Sequence, residues 1–248
     1  MALRTKEEYF KALKRLNTQL YAFGEKVTDF TSHPCIKPPI EAIGLVYELA
    51  SQEKDGDFLT ARSPFINDQI NRFVHIMQDR EDLGTRFRLA RFMVRKHGAC
   101  IGARCVSTGA LNSVFAGTSE VDKELGTSYH GRFLEFLKYV QSKDLAVAGA
   151  MMDVKGDRSL SPGSQKDPDM YLHIVEKREN GIVVRGAKAS ISGAVIADEI
   201  VVLPCTALKQ GEEDYAVCFA IPSDTPGLLH IAEAPSSNAR RFIGDEMD

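Results

Sequence analysis

The amino-acid sequence predicts an α+β fold, and a change of texture partway along the chain carries that prediction. Residues 1–145 are dominated by apolar residues at helical spacing, whereas residues 146–248 contain short β-branched runs punctuated by Gly and Pro. Helices that precede strands, rather than alternating with them, point to α+β rather than α/β. The expected division is therefore a helical domain at 1–145 and a β domain at 146–248. No internal repeat or low-complexity segment interrupts it.

Each element has its own signal. Thr5 and Glu8 make the pattern of a capping box, and Tyr9, Leu13, Leu16 and Leu20 follow at helical spacing up to Gly24, a natural stop. The segment TSHPCIKPP holds three prolines, so no helix continues through 31–39. IEAIGLVYELAS is apolar on several sides and predicts a buried helix. The long stretch from SPFINDQINRF to EVDKELG reads as one or two long helices. TSYHGRFLEFLKYVQSKDL reads as another, with Phe133, Phe136, Leu137 and Val140 on one face. In the second region, EKRENGIVVRG reads as two strands joined at Asn180-Gly181, a strong hairpin signal.

Composition narrows the function classes. The 31 basic and 34 acidic residues give a net charge of −3, with no cationic excess to indicate nucleic acid or a membrane surface as partner. MALRTKEEYFKALKRL lacks the apolar core of a signal peptide, and no run approaches the roughly 18 apolar residues of a membrane span. Five cysteines, an odd number in a chain this long, do not make a secreted disulfide framework. The expected location is the cytoplasm.

Three stretches carry candidate chemistry. DVKGDRSLSPGSQKDPD (153–169) is polar and rich in Gly and Pro, yet it lies between apolar runs. Asp153, Lys155, Asp157, Arg158, Gln165, Lys166 and Asp167 offer directed polar contacts there, so it reads equally as a ligand loop or a structural loop. In RGAKASISGAV, Lys188, Ser190 and Ser192 sit between glycines; a bulged strand is the favoured reading, a flat ligand the rival. HGACIGARCVSTG sets Cys100 and Cys105 five residues apart. At about 100° per residue, a regular helix would hold them roughly 140° apart, a poor placement for one metal centre unless a π-bulge realigns them. Two small, partly buried thiols are the plain alternative. No Gly-rich phosphate loop or Gly-x-Ser-x-Gly elbow occurs, and the six histidines have no ligand spacing, which argues against a hydrolase.

Several long blocks carry a resemblance. LNTQLYAFGEKVTDFTSHP, the run from GARCVSTGALNSVFAG through KGDRSLSPGSQKDPDMYLHIVEKRENGIVVRGAKA, and DYAVCFAIPSD resemble the dehydratase branch of the 4-hydroxyphenylacetate 3-hydroxylase family of flavoproteins, which acts on 4-hydroxybutyryl-CoA. The resemblance implies an acyl-CoA dehydrogenase-like N-terminal helical domain and a middle β-barrel domain, here incomplete. The family's C-terminal helical bundle would be absent, which implies the N-terminal part of a longer enzyme. It implies FAD lined by Met151, Met152, Asp153, Val154, Lys155, Gly156, Asp157 and Arg158, with a second contact at Ser190, Ile191 and Ser192. It implies an acyl-CoA substrate and homotetramers. It also implies a [4Fe–4S] cluster whose first ligands correspond to Cys105 and Cys100, although family dehydratases space these cysteines four apart and carry a His at the position of Ser190. Two other readings stand beside it: a reduced-flavin monooxygenase acting on a phenol, and a non-catalytic flavin-binding remnant.

Overall fold

A computed structural model describes residues 3–52, 56–98 and 103–233. Helix α1 (Lys6–Leu13) opens on the expected capping box: the Glu8 amide donates to Thr5 Oγ1 at 3.1 Å and the Thr5 amide to Glu8 Oε2 at 2.8 Å. It ends earlier than the spacing of Leu16 and Leu20 predicts. Asn17 and Thr18 are weak helix formers. Beyond them, Gln19–Ala22 is strand β1, burying Leu20 and Ala22 and exposing Gln19 and Tyr21 with a period of two. A tight turn at Phe23 and Gly24, both at positive φ, returns the chain as β2 (Glu25–Val27).

Helix α2 (Lys37–Ala50) begins at the prolines, whose missing N–H groups cost nothing in a first turn. It is buried along most of its length and lies so close to α1 that a Cβ on Gly44 would stand 2.8 Å from the Phe10 ring. The following stretch is not the continuous helix expected. A single turn α3 (Gly56–Leu59) leads into a hairpin of β3 (Thr60–Arg62) and β4 (Gln69–Asn71), and α4 (Arg80–His97) starts only at the Asp79 cap. Turn formers override the apolar spacing: Pro64, Asp68 and the positive-φ Asn67 bend the chain between the two strands. Helices α5 (Ala103–Leu125) and α6 (Tyr129–Lys143) complete the helical region, and α6 buries Phe133, Leu137 and Val140 as predicted.

The later strands are β5 (Val147–Ala150), the hairpin β6 (His173–Arg178) and β7 (Gly181–Arg185), β8 (Glu199–Val202), β9 (Phe219–Pro222) and β10 (Leu229–Ala232). The predicted hairpin is present, but its two turn residues are Glu179 and Asn180 rather than Asn180 and Gly181: Gly181 already belongs to β7 and pairs with Arg178. Strands β5, β8 and β9 form one sheet in that order, β5 parallel and β9 antiparallel to β8. Strand β10 instead pairs parallel with β1, joining the two ends of the described chain in one small sheet. The α+β class holds, but among the described residues the sheets are of two and three strands and no barrel closes.

The β5–β8–β9 sheet positions everything that follows. Its inner face packs on α5 and α6 through Leu111, Leu137, Val140, Val147 and Val201. Gly149 permits this close approach, since a Cβ there would lie 2.7 Å from Val106 Cγ1. The end where β5 and β8 begin is closed by a polar network. Arg4 donates to both oxygens of Asp198 (2.7 and 3.2 Å), Asp198 accepts the Ala146 amide (2.8 Å), and buried Arg104 pairs with buried Asp144 at 2.9 Å.

Glu199 opens β8 at that same end, and burial pushes its carboxyl up to about 7, assisted by Asp198 and Asp224 and opposed by the hydroxyl of Tyr139 at 3.3 Å. A carboxyl whose pKa rises on folding costs stability as pH climbs from its ordinary range through 7. Glu199→Gln keeps the acceptor for Tyr139 and removes that titration. It should raise the melting temperature relative to the parent at pH 8 and leave it unchanged near pH 4; an equal difference at both pH values would contradict the assignment.

Candidate functional site

The opposite end of the sheet gathers the sequence-predicted residues. Because β5 and β8 run parallel, the segments leaving them emerge side by side, at Met151 and Leu203, and the Leu203 amide extends the pairing to Ala150 O at 3.0 Å. Just beyond the end of β5 the chain after β7 returns. Asp153 and Lys188 form an antiparallel bridge, and the Ala189 amide donates to Met152 O at 2.9 Å. Met152 and Asp153, within the first predicted cofactor segment, are thereby paired with Lys188 and Ala189, the two residues that lead into the second at Ser190, Ile191 and Ser192.

Their exposure is uneven in an informative way. Every residue of β5 is buried, yet the next two, Met151 and Met152, are 46% and 47% exposed. Val154 and Ile191 are half-buried, Ile191 against the cluster of Ala148, Ala150 and Ile200, while Lys155, Gly156, Asp157, Arg158, Ser190 and Ser192 are exposed. Ser190 adopts the left-handed region (φ 56), which turns the chain directly after the bridge. Met151 and Met152 thus offer an apolar shelf, and the two segments also expose two hydroxyls, Ser190 and Ser192, and two cations, Lys155 and Arg158. That donor set fits a flavin nucleotide: apolar contact for a fused ring, hydrogen bonds for its polar edge, positive charge for phosphates.

The loop from 153 to 169 is folded, not a tether. Gln165 is 8% exposed; its Oε1 accepts the Asp157 amide at 3.0 Å and its Nε2 donates to Asp157 O at 2.8 Å, imitating a strand partner. Gly156 (φ 48) has no room for a side chain against Gln165 and Met170. Glu212 accepts the Gly163 amide at 2.8 Å and the Lys209 amide at 2.8 Å, tying the far side of the loop to the segment after β8. Hydrogen bonds of Asp157 to Ser159 lower its pKa.

The cysteine pair is placed differently. Helix α4 closes at Gly98, at φ 74, and α5 is described from Ala103 onward, so the expected placement of Cys100 relative to Cys105 falls outside the described residues. Cys105 stands in the first turns of α5, half-buried against the apolar cluster of Leu49, Leu59, Phe73, Leu89 and Met93. Cys100 lies outside the described residues. Among the described residues no three His, Cys, Asp or Glu side chains gather as a metal-binding group. No described helix is long and apolar enough to cross a membrane.

With this geometry in hand, comparison with known proteins assigns the family. Residues 5–248 match the model of the 4-hydroxyphenylacetate 3-hydroxylase N-terminal region, and the chain belongs to that family. It is 45% identical over 240 residues to 4-hydroxybutyryl-CoA dehydratase/vinylacetyl-CoA-Delta-isomerase of Clostridium aminobutyricum, covering 97% of this chain and 49% of that protein. The oxygenase component of 4-hydroxyphenylacetate 3-monooxygenase from Thermus thermophilus is 30% identical, over 91% of this chain and 45% of its own length. Among solved structures, an oxygen-tolerant archaeal 4-hydroxybutyryl-CoA dehydratase from N. maritimus superposes with a TM-score of 0.91 at 37% identity, over 97% of this chain and 47% of that one. The HpaB oxygenase component complexed with FAD gives 0.77 at 29%, over 93% and 47%. The chain spans about half the length of the curated relatives it matches.

Sequence reasoning missed Leu203 and Thr206. Thr206 donates its hydroxyl to Asp153 Oδ2 at 3.0 Å, 53 residues away, and nothing local in the sequence announces it.

Proposed function

We propose that this chain is the FAD-binding N-terminal part of an enzyme of the 4-hydroxybutyryl-CoA dehydratase/vinylacetyl-CoA Δ-isomerase type, which converts 4-hydroxybutyryl-CoA to crotonyl-CoA. The observation that carries the reading is the pairing of Met152 and Asp153 with Lys188 and Ala189, which leads the segments 151–158 and 190–192 away from one end of the sheet, in a chain 45% identical to such a dehydratase. The higher identity to the dehydratase than to the monooxygenases, 45% against 30%, favours it over a phenol hydroxylase.

In this reading Met151, Met152 and Ile191 cover one face of the flavin and keep water from it. Ser190 and Ser192 orient its polar edge by hydrogen bonds, while Lys155 and Arg158 take the phosphates of FAD or of coenzyme A. Bound FAD supplies a ring that can accept and return electrons at the reacting carbon. Cys105, with Cys100, is this chain's candidate for holding part of an iron–sulfur cluster. The reading also includes the division at residues 145 and 146, a homotetrameric assembly and a cytoplasmic location.

FAD titration followed by flavin fluorescence tests the proposal. The chain should bind FAD, and a double change of Lys155→Met and Arg158→Met should weaken binding by about tenfold or more, the loss of charge-assisted phosphate contacts. Adding crotonyl-CoA to the FAD complex should perturb the flavin absorption, and 4-hydroxyphenylacetate should not. The opposite pattern would assign the hydroxylase reading. Binding of FAD with response to neither would assign the non-catalytic one.

A further inference from the structure

We infer that Lys188 is the positioning residue of the flavin-binding surface, a clamp that holds its two segments as one piece; this rests on the flavin reading above. An ammonium has three N–H donors and no acceptor. Lys188 Nζ has three protein oxygens to meet them: Asp153 Oδ1 at 2.5 Å, Leu203 O at 2.8 Å and Met151 O at 3.1 Å. Both partners of the ion pair are 11% exposed at the side chain, so the charge is shielded from water.

The three acceptors lie on different pieces of chain. Met151 and Asp153 belong to the segment leaving β5, and Leu203 to the segment leaving β8. The backbone beside Lys188 holds the same segment independently, through the bridge to Asp153 and the bond from Ala189 N to Met152 O. Thr206 then fixes the second oxygen of Asp153. One side chain therefore sets the height of the Met151–Met152 shelf relative to the turn at Ser190, two residues further on. The geometry also excludes the more obvious role. A lysine among flavin-contacting residues invites assignment as the charge partner of the ring, but here every donor is already used by protein.

The test compares the 248-residue chain with Lys188→Met, Lys188→Arg and Thr206→Val, using FAD affinity, the absorption spectrum of flavin at saturation, amide exchange at Ala189 and thermal melting. Lys188→Met should raise the FAD dissociation constant by about tenfold or more. It should also alter the bound-flavin spectrum and speed exchange at Ala189. Lys188→Arg keeps the charge and should recover part of the affinity. Thr206→Val removes only one exposed contact, folds with the parent's melting temperature, and should weaken FAD binding by a few-fold with a smaller spectral change. A folded Lys188→Met chain with parental affinity, spectrum and Ala189 exchange overturns the inference and leaves the flavin reading intact. If Lys188→Met does not fold, unchanged affinity and spectrum in both Lys188→Arg and Thr206→Val overturn it. A parent chain that binds no FAD overturns both.

Discussion

Asp144→Asn is expected to lower the stability of the chain by about 3–5 kcal/mol, the usual loss when one partner of a buried ion pair is removed. Arg104 and Asp144 are both fully buried, and their contact spans 2.9 Å between α5 and the end of α6. Burial pushes the Asp144 carboxyl up, while the Arg104 guanidinium and the Arg4 amide pull against it. The neighbouring contacts are also committed. Arg104 donates to Leu145 O at 2.8 Å and stacks over the Tyr47 ring at 4.7 Å, and the Tyr47 hydroxyl donates to Asp144 O at 2.9 Å. Arg104 Nε is buried without a partner among the described residues, so the guanidinium has no spare acceptor to fall back on. Asparagine keeps the volume and tolerates the left-handed backbone at this position (φ 45), which isolates the charge as the variable. Urea unfolding measures the effect, and a loss below about 1 kcal/mol, the range of exposed pairs, would show that the pair is solvated. Combining the change with Arg104→Met should restore part of the stability, because both charges then leave the interior.

What the sequence disclosed about this molecule is what sits close together along it. The Thr5–Glu8 box spans three residues, the apolar face of α6 repeats within two turns, and the hairpin bends at Glu179 and Asn180, within one residue of the Asn-Gly signal. Gly98, Pro38 and Pro39 likewise act on their own neighbours. The errors have the same origin. Leu16 and Leu20 lie at helical spacing from Leu13, but Leu20 is buried because β1 pairs with β10, more than 200 residues later, which no local window contains. The cofactor segments were recognisable from resemblance, and Lys188 was visible as a lysine between glycines. Its role was not, because that role is the sum of contacts to positions 37, 35 and 15 residues away. Nothing local in the sequence marks Arg104 as a core residue; its buried partner lies 40 residues on.

Gly186→Ala is expected to cost about 3 kcal/mol or more, combining a backbone conformation reserved for glycine with a clash that side chains cannot relieve. Gly186 holds φ at 125, and a Cβ there would meet the Tyr171 carbonyl and lie 2.5 Å from Leu172 Cα, both main-chain groups. The position joins β7 to the parallel bridge of Tyr171 with Ala187, one residue before Lys188. A two-stranded hairpin is marginal on its own. This one is held at its base by that bridge and by stacking of His173 on Tyr215 with centroids 4.8 Å apart, and near its turn by an exposed ion pair of Lys177 with Asp214. Displacing Gly186 therefore moves Lys188 off its acceptors, and FAD affinity should fall with stability. Gly181→Ala provides the comparison within the same hairpin: nothing lies within 4 Å of its added Cβ, so stability should change by less than about 0.5 kcal/mol with unaltered FAD binding. Equal effects of the two substitutions in thermal melts and FAD titrations would show that the close approach at Gly186 does not govern the site.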